Sequence, residues 1–311
     1  MRLYEMFFVW FSANMNILSF STGSAGAFFG LGLRETLVVL TIVDVTASAF
    51  PAFFAVFGPK LGTRAMIQSR FSWGYFGAVI PSVLNVFTAQ GFLILNCIIG
   101  GQTLASVSPR LDDTLGIIII SLISLVVTFC GYRVIHWYES VAWIPNVVTF
   151  IVMLGIGGKH LVLMPAPAPV SAAAILSYSA TVASSVLSWA TITPDYGVYH
   201  NGKASAFRIF TYTYLAFLSG SIVPHFLGAA FTASAPAVPS WTAGFEGGDN
   251  VGGLISAVLA PTGGFGKLLT VLIALSVPSA CAPTMYTFGT SFMTIAPIFQ
   301  KVPRYVFAII S

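Results

Sequence analysis

Apolar stretches follow one another along almost the whole chain, separated by short segments that contain glycine, proline or charged residues. A helix that crosses a bilayer needs about 20 predominantly apolar residues. By that criterion the pattern predicts eight spans, at about 4–28, 37–56, 76–102, 115–132, 141–161, 172–196, 209–233 and 267–292. A ninth apolar run begins near Val302 and continues to Ser311. The pattern therefore predicts an all-helical protein that crosses the membrane many times.

The segments between the spans carry turn signals, among them Gly58 with Pro59, Gly131, the proline-rich stretch 165–169 and Asn201 with Gly202. The longest connection, 235–264, is rich in proline and glycine. Within it, residues 251–259 are expected to form a short surface or re-entrant helix.

Two of the spans are interrupted by polar residues. The sixth contains the sequence SVLSWATITPDY at 185–196, and the first contains SANMN at 12–16. Irregular backbone and polar groups occur at membrane depth only where they are buried in protein or line a cavity. Interrupted spans at corresponding positions of two halves of a chain indicate a substrate site near the middle of the membrane. The pattern thus predicts a transport site.

Composition excludes a soluble domain, because 57% of the residues are hydrophobic, only 7% are charged and the mean hydropathy is +0.90. The three cysteines fall inside apolar spans and show neither metal spacing nor an even number. The four histidines, at 136, 160, 200 and 225, are placed at or near the ends of spans. We therefore predict no enzyme activity, no metal site and no cofactor.

The basic residues predict the orientation. If the N-terminus is cytoplasmic, nine lysines and arginines lie on the inner side and four on the outer side, as the positive-inside rule requires. The excess of basic residues that gives the net charge of +4 then lies on the cytoplasmic side of the membrane, and it does not indicate nucleic-acid binding. We predict a plasma-membrane protein.

Three motifs are more specific than composition. They are GPKLGTRAMIQSRFSWG at 58–74, CGYRVIHWYE at 130–139, and SWA at 188–190 followed by Asp195 and Tyr196. Together they resemble the purine–cytosine permease branch of the nucleobase:cation symporter family, most closely its fungal members. The resemblance runs from residue 4 to about 292.

The resemblance implies a LeuT-type fold of twelve spans, in which the first ten form two five-helix inverted repeats. Residues 1–163 would be the first repeat. Residues 164–311 would be an incomplete second repeat, with spans six to eight and the start of span nine. We therefore expect that a longer protein extends beyond both ends of this chain.

In that family the substrate lies between the first, third, sixth and eighth spans. Phe92 and Asn96 are four residues apart on the third span, so they share one face of the helix. A planar heterocycle needs such a pairing, an aromatic ring to stack on and an amide at its edge. The predicted substrate-binding residues are Ser12, Asn14, Phe92, Asn96, Trp189 and Thr284.

Two positions depart from the family pattern. Phe92 stands where tryptophan is usual, which keeps the stacking surface and removes an N–H donor. Thr284 stands where asparagine is usual, so a two-sided amide is replaced by a single hydroxyl. Both departures favour either a different heterocycle or weaker binding.

The coupling ion is expected to be a proton, as in fungal-type relatives, or sodium. A proton carrier needs a carboxylate in the membrane, and the candidates are Asp44 and Asp195. Asp195 has an alternative role as a cap of the helix break or as a partner of a basic loop residue. Sodium would bind backbone carbonyls at the first break together with the hydroxyls of Ser276 and Ser279.

The sequence thus predicts a secondary active transporter that imports a nucleobase, purine or cytosine, or a related planar heterocycle by alternating access. The alternative is a truncated or non-transporting homologue that acts as a sensor or is a gene-model fragment. The expected partners are the heterocycle and the lipid bilayer, without nucleic acid. The sequence leaves the oligomeric state open.

Overall fold

The computed structural model describes residues 3–130, 132–163 and 169–311, and in those ranges the regular structure is helical. The first nine α-helices are α1 (Leu3–Asn14), α2 (Ile17–Ser24), α3 (Leu33–Ala47), α4 (Ala49–Ala55), α5 (Phe57–Leu61), α6 (Ala65–Gly77), α7 (Val79–Ala105), α8 (Asp113–Phe129) and α9 (Tyr132–Gly157). They are followed by α10 (Ala172–Leu187), α11 (Thr193–Gly197), α12 (Ala206–Ser234), α13 (Pro239–Phe245), α14 (Val251–Leu259), α15 (Gly264–Ala274), α16 (Pro278–Ile295) and α17 (Arg304–Ile310). The predicted turn at Gly131 and positions 165–168 of the predicted linker lie outside the described residues.

Within the described residues, six helical stretches are long and apolar enough to cross a membrane. They are Leu33–Leu61, Val79–Ala105, Trp137–Leu161, Ala172–Gly197, Ala206–Ala237 and Gly264–Ile295. Each corresponds to one predicted span. Of the other two predicted spans, the first is divided into α1 and α2, and the fourth is the 17-residue helix α8. The chain is an integral membrane protein.

Large apolar side chains cover the outside of the helical bundle. Phe76 is 86% exposed, and Phe71, Phe87, Leu176 and Phe207 are also more than two thirds exposed. Contiguous apolar surface of this kind is rare on soluble proteins and is typical of a surface that contacts lipid or another protein. The polar groups of the bundle are instead concentrated in its interior.

The helices α2 and α12 pack closely in the centre of the bundle, because glycines lie between them. A Cβ atom added at Gly23 would lie 1.9 Å from the carbonyl oxygen of His225. One added at Gly228 would lie 1.9 Å from the carbonyl oxygen of Phe20. Small residues allow membrane helices to approach this closely. The second half of the first span is thereby held directly against α12.

The predicted helix at 251–259 forms, but the prediction of a surface position is wrong. The side chains of Leu254, Ile255 and Leu259 are completely buried. They belong to the main hydrophobic cluster, which also contains Trp241 of α13. Glycines at the start of α14 let it pack directly on α7 and α13, so most of the predicted long loop is folded against the bundle.

Candidate functional site

Both predicted helix breaks are present. The sixth span runs as α10 to Leu187, continues as a 3₁₀ turn over Ser188–Thr191 and resumes as α11 at Thr193. Pro194 occupies the first turn of α11, where its missing N–H group costs no hydrogen bond. The sequence at 188–194 thus ends one helix and begins another in the middle of the span.

The break in the first span is stabilised by amide side chains. Asn16 precedes α2, and its Oδ1 accepts a hydrogen bond of 2.9 Å from the backbone N–H of Ser19. Its Nδ2 donates to the carbonyl of Ala13 at 2.6 Å. Asn146 of α9 donates to the carbonyl of Met15. Asparagine is a preferred N-cap residue, and here these amides bond carbonyls that the broken helix leaves without an intrahelical partner.

A cavity of about 40 Å³ lies between the two breaks and the helices α7, α12 and α16. Asn14, Phe92, Asn96, Trp189 and Thr284 all line it. The structure therefore brings five of the six predicted substrate-binding residues together.

Ser12, the sixth predicted substrate-binding residue, is buried but does not line the cavity. Ser12 and Asn14 are two residues apart on α1, so their side chains leave the helix on different faces. Asn14 faces the cavity and Ser12 does not. The predicted contact between Ser12 and a substrate therefore has no support in this geometry.

Trp189 is held in place by other aromatic rings. Its ring centroid lies 5.8 Å from that of Trp10 in an edge-to-face arrangement and 6.3 Å from that of Phe217. Such pairs contribute about 0.5–1.5 kcal/mol beyond the burial of area. Phe92 lines the same cavity from α7. Two aromatic side chains from different spans are therefore available to a planar ring.

Asn96 offers an unused acceptor. Its Nδ2 donates to the carbonyl of Phe92 on its own helix at 2.8 Å, while its Oδ1 is buried with no hydrogen-bond partner in the described part of the chain. A buried acceptor without a partner costs about 1–3 kcal/mol. An N–H group of a bound molecule would remove that cost. Thr284 donates its hydroxyl to the carbonyl of Ala280 at 2.8 Å, which leaves its oxygen able to accept.

The cavity is contracted in this conformation. Its volume of about 40 Å³ holds about three waters, when each takes about 10–15 Å³ of the same measure. A purine or pyrimidine base is larger than that, so a base enters only when the lining side chains or helices move apart.

His225 also lines the cavity, and the sequence-based placement of this histidine near a span end is wrong. It lies in the interior of α12, next to Pro224. Its Nδ1 is 2.9 Å and 3.1 Å from the two carboxylate oxygens of Asp44 on α3, and both side chains are buried. Counting residues from both ends of 206–234 would have placed His225 inside the span. Its pairing with Asp44 has no local signal in the sequence.

Asp195 has different partners. One carboxylate oxygen accepts a 2.8 Å hydrogen bond from the backbone N–H of Ala65, the first residue of α6. The other accepts a 2.9 Å bond from the hydroxyl of Thr290 on α16. Asp195 therefore joins the broken sixth span to the loop motif at 58–74 and to the eighth span.

An arginine and two tyrosines extend this arrangement. The guanidinium of Arg64 donates to the hydroxyl of Tyr286 at 2.6 Å, and the hydroxyls of Tyr286 and Tyr199 are 2.6 Å apart. We call the group formed by Asp195, Ala65, Thr290, Arg64 and Tyr286 the Asp195 network. It joins α6, α11 and α16 at the end of the bundle that carries the basic loop motif.

The residues predicted for sodium are both buried near the start of α16. Ser276 lies in the turn between α15 and α16 and donates its hydroxyl to the carbonyl of Ile273 at 2.7 Å. The hydroxyl of Ser279 has no partner among the described residues. The carbonyls of Ala13 and Met15 at the first break already accept amide hydrogen bonds. In the described ranges, no group of three or more His, Cys, Asp or Glu side chains is placed to hold a metal ion.

Curated relatives match almost the whole chain. The purine-cytosine permease fcyB of Emericella nidulans is 31% identical over 306 residues, which are 97% of this chain and 60% of the relative. The purine-cytosine permease FCY21 of Saccharomyces cerevisiae is 34% identical over 310 residues, which are 97% of this chain and 58% of the relative. The chain thus spans about three fifths of the length of these relatives, which are permeases and not enzymes.

Solved structures share the fold. Mhp1, a nucleobase-cation-symport-1 family transporter in a closed conformation with bromovinylhydantoin bound, superposes with a TM-score of 0.70 at 18% identity, over 99% of this chain and 69% of that one. The inward-facing conformation of Mhp1 gives the same TM-score at 17% identity, over 98% and 68%. The predicted all-helical, LeuT-type fold is therefore confirmed. The model of the family described as permease for cytosine/purines, uracil, thiamine, allantoin matches residues 1–311, and the chain belongs to that family.

Proposed function

We propose that the protein is a secondary active transporter that imports a nucleobase, purine or cytosine, or a related planar heterocycle. The observation that carries this proposal is the cavity between the two helix breaks. Phe92 and Trp189 supply aromatic surface to it, and the Oδ1 atom of Asn96 is an acceptor without a partner. A planar ring that carries an N–H group at its edge satisfies both features at once.

The names of the relatives support the same class of substrate. Two are purine-cytosine permeases, and the Mhp1 structure contains bromovinylhydantoin, which is a heterocycle. Thr284 supplies one hydroxyl to the cavity, so the edge of the ring that faces α16 meets a single group able to donate or accept. A ring with a single polar atom on that edge matches the single hydroxyl of Thr284.

Import by alternating access requires a coupling ion, and we propose a proton. Asp44 and Asp195 are the buried carboxylates predicted for this role. Sodium held by Ser276 and Ser279 is the competing assignment. The excess of basic residues on one side supports a cytoplasmic N-terminus in the plasma membrane.

Uptake of radiolabelled adenine and cytosine tests this function, in cells that lack their own nucleobase permeases and express the protein. Unlabelled bases, hydantoins and pyridines compete in turn, and pH and sodium are varied separately. We expect accumulation that increases at low pH and does not require sodium. Phe92→Ala should reduce uptake, whereas Phe87→Ala, on the exposed face of the same helix, should not. If the protein is at the cell surface and accumulates no heterocycle, it is a non-transporting homologue.

A further inference from the structure

A histidine and an aspartate form a pair inside the bundle, beside the cavity. Nδ1 of His225 on α12 contacts both carboxylate oxygens of Asp44 on α3, at 2.9 Å and 3.1 Å. The exposed fractions of the two side chains are 2% and 0%. His225 also lines the cavity, and its second ring nitrogen, Nε2, is not used by Asp44. The pair therefore links the cavity to a buried carboxylate.

The position of this pair is fixed by the surrounding backbone. Gly23 of α2 lies against the backbone of His225, where a Cβ atom would not fit. The phenol of Tyr178 on α10 donates to the carbonyls of Thr22 and Gly23 from the other side. The helix α2, which forms the second half of the broken first span, is thus in contact with both the pair and the cavity. A movement of α2 changes the surroundings of both.

Few other charges face the pair. Of the described residues on α10, Tyr178 is the only titratable one, and it lies close enough to Asp44 for their charges to interact. The helices α2 and α4 contain no titratable side chain. On α1 and α9, Glu5 and Glu139 lie two turns or more from the break.

The remaining charges on α3 and α12 are also distant. Arg34 and Glu35 lie in the first turn of α3, more than two turns from Asp44. Arg208, Tyr212 and Tyr214 lie three turns or more from His225 along α12. The 3₁₀ turn Gly158–Leu163, which carries Lys159 and His160, also packs against α12. Of the groups named here, Tyr178 is the one whose charge interacts with Asp44.

The number of protons on the pair determines the free-energy cost of burying it in the membrane interior. With a neutral imidazole and an ionised carboxylate the pair carries one negative charge, which is expensive to bury. One added proton makes the pair neutral overall, either as an imidazolium beside a carboxylate or as an imidazole beside a carboxylic acid. The added proton is therefore bound most firmly when water is excluded and is released most easily when water reaches Nε2 through the cavity.

We propose that the Asp44–His225 pair is the binding site of the coupling proton, and that a heterocycle in the cavity favours the protonated pair by excluding water from His225. This inference rests on the proposed function and assigns its coupling site. One proton moves from water on one side of the membrane to the pair, and from the pair to water on the other side. Asp195 then acts in closure of the bundle, not in proton transfer.

Linkage gives the sign of the effect. If a bound heterocycle favours the protonated pair, protonation strengthens binding of the heterocycle by the same factor. The affinity should therefore rise as pH falls through the range in which the pair takes up its proton. Because one proton is involved, the dissociation constant changes by at most about tenfold for each pH unit.

Equilibrium binding of tritiated adenine and of tritiated cytosine to the purified protein across that pH range tests the proposal. Wild-type protein should bind at least one base more tightly at low pH. Asp44→Asn and His225→Gln should bind it with an affinity that varies less than twofold. Asp195→Asn is the control and should keep the wild-type dependence. The double variant Asp44→His with His225→Asp retains both groups and should recover most of it.

The possible results of this experiment separate the proton site, its assignment to this pair and the proposed function. A wild-type affinity that is independent of pH overturns the proton site without any variant. A wild-type dependence that persists in Asp44→Asn and His225→Gln, or that disappears in Asp195→Asn alone, overturns the assignment and leaves the proposed function intact. Failure of the folded wild-type protein to bind adenine, cytosine or any competing heterocycle overturns the proposed function and this inference together.

Discussion

Two aspartates are buried in the bundle, and their partners differ in kind. Asp44 contacts the imidazole of His225, which can gain or lose a proton. Asp195 accepts a hydrogen bond from the backbone N–H of Ala65, which can only donate, and contacts the hydroxyl of Thr290, which can also donate to the carbonyl of Thr287. Asp44 therefore belongs to a pair whose charge can change. The hydrogen-bond partners of Asp195 do not change their charge near neutral pH.

Under the proposal that the Asp44–His225 pair binds the coupling proton, burial alone does not identify a proton carrier. Protonation of Asp195 would keep both contacts, with the Thr290 bond reversed, because that hydroxyl can donate to the carbonyl of Thr287 instead. Protonation of the Asp44–His225 pair removes its net charge and keeps the contact. The location agrees with this division, because His225 lines the cavity and the Asp195 network joins helices at one end of the bundle.

Removal of one partner of the Asp44–His225 pair should have the largest effect on stability. His225→Leu leaves the carboxylate of Asp44 buried without its described partner, and such a change costs about 3–5 kcal/mol. Replacement of both residues by leucine removes the unpaired group and should recover most of that loss. Thermal unfolding of the purified variants in detergent checks this order. A double variant that is less stable than His225→Leu would show that the pair itself is strongly stabilising.

Asp195→Asn should have a smaller, local effect. The amide oxygen can still accept from Ala65, and the amide nitrogen can donate to Thr290, so the change replaces charged hydrogen bonds with neutral ones, at a cost of about 1 kcal/mol. We expect faster hydrogen exchange at the start of α6, measured by mass spectrometry on peptides that contain Ala65. Peptides from α14 serve as an internal control. Unchanged exchange at α6 would mean that Asp195 does not hold this helix.

The sequence predicted the two helix breaks well, because their causes are local. Asn16 caps α2, and Pro194 lies in the first turn of α11, so both residues occur where the helices are interrupted. The helical face that carries Phe92 and Asn96 is also a local property. Five predicted substrate contacts therefore converge on one cavity.

Other features required the tertiary structure. Asp44 and His225 are far apart in the chain, and nothing near either residue announces the other. Ser12 was expected in the site because it belongs to the polar run, but the turn of α1 directs it elsewhere. The helix at 251–259 was predicted, but its burial was not, because its glycines pack against α7 and α13. For the Asp44–His225 pair and for α14, a contact across the bundle decided the outcome.

Trp189→Ala tests the cavity side of the comparison. Stacking of a base on an aromatic side chain contributes about 1–3 kcal/mol, so the dissociation constant of the bound base should rise about tenfold. The dependence of binding on pH should remain. Trp137→Ala removes an exposed tryptophan and is the matched control. Equal affinities for Trp189→Ala and the wild type would exclude Trp189 from the site.

Thr284→Asn should give the smallest change. It supplies the two-sided amide that the family resemblance leads us to expect on the eighth span, and one added hydrogen bond contributes about 0.5–1.5 kcal/mol. Affinity for adenine or cytosine should therefore rise about two- to tenfold, measured by competition binding. Reduced affinity for every base tested would mean that Thr284 is matched to another heterocycle.

The central claim is that the coupling proton is bound at the Asp44–His225 pair and not at Asp195. The most direct test counts the protons taken up from weakly buffered solution when a saturating base is added to the wild type, Asp44→Asn and Asp195→Asn. The pH is set near that at which the wild-type affinity changes most steeply. We predict uptake of up to one proton per bound base by the wild type and by Asp195→Asn, and none by Asp44→Asn. Equal uptake by Asp44→Asn and the wild type, or loss of uptake only in Asp195→Asn, would contradict the account.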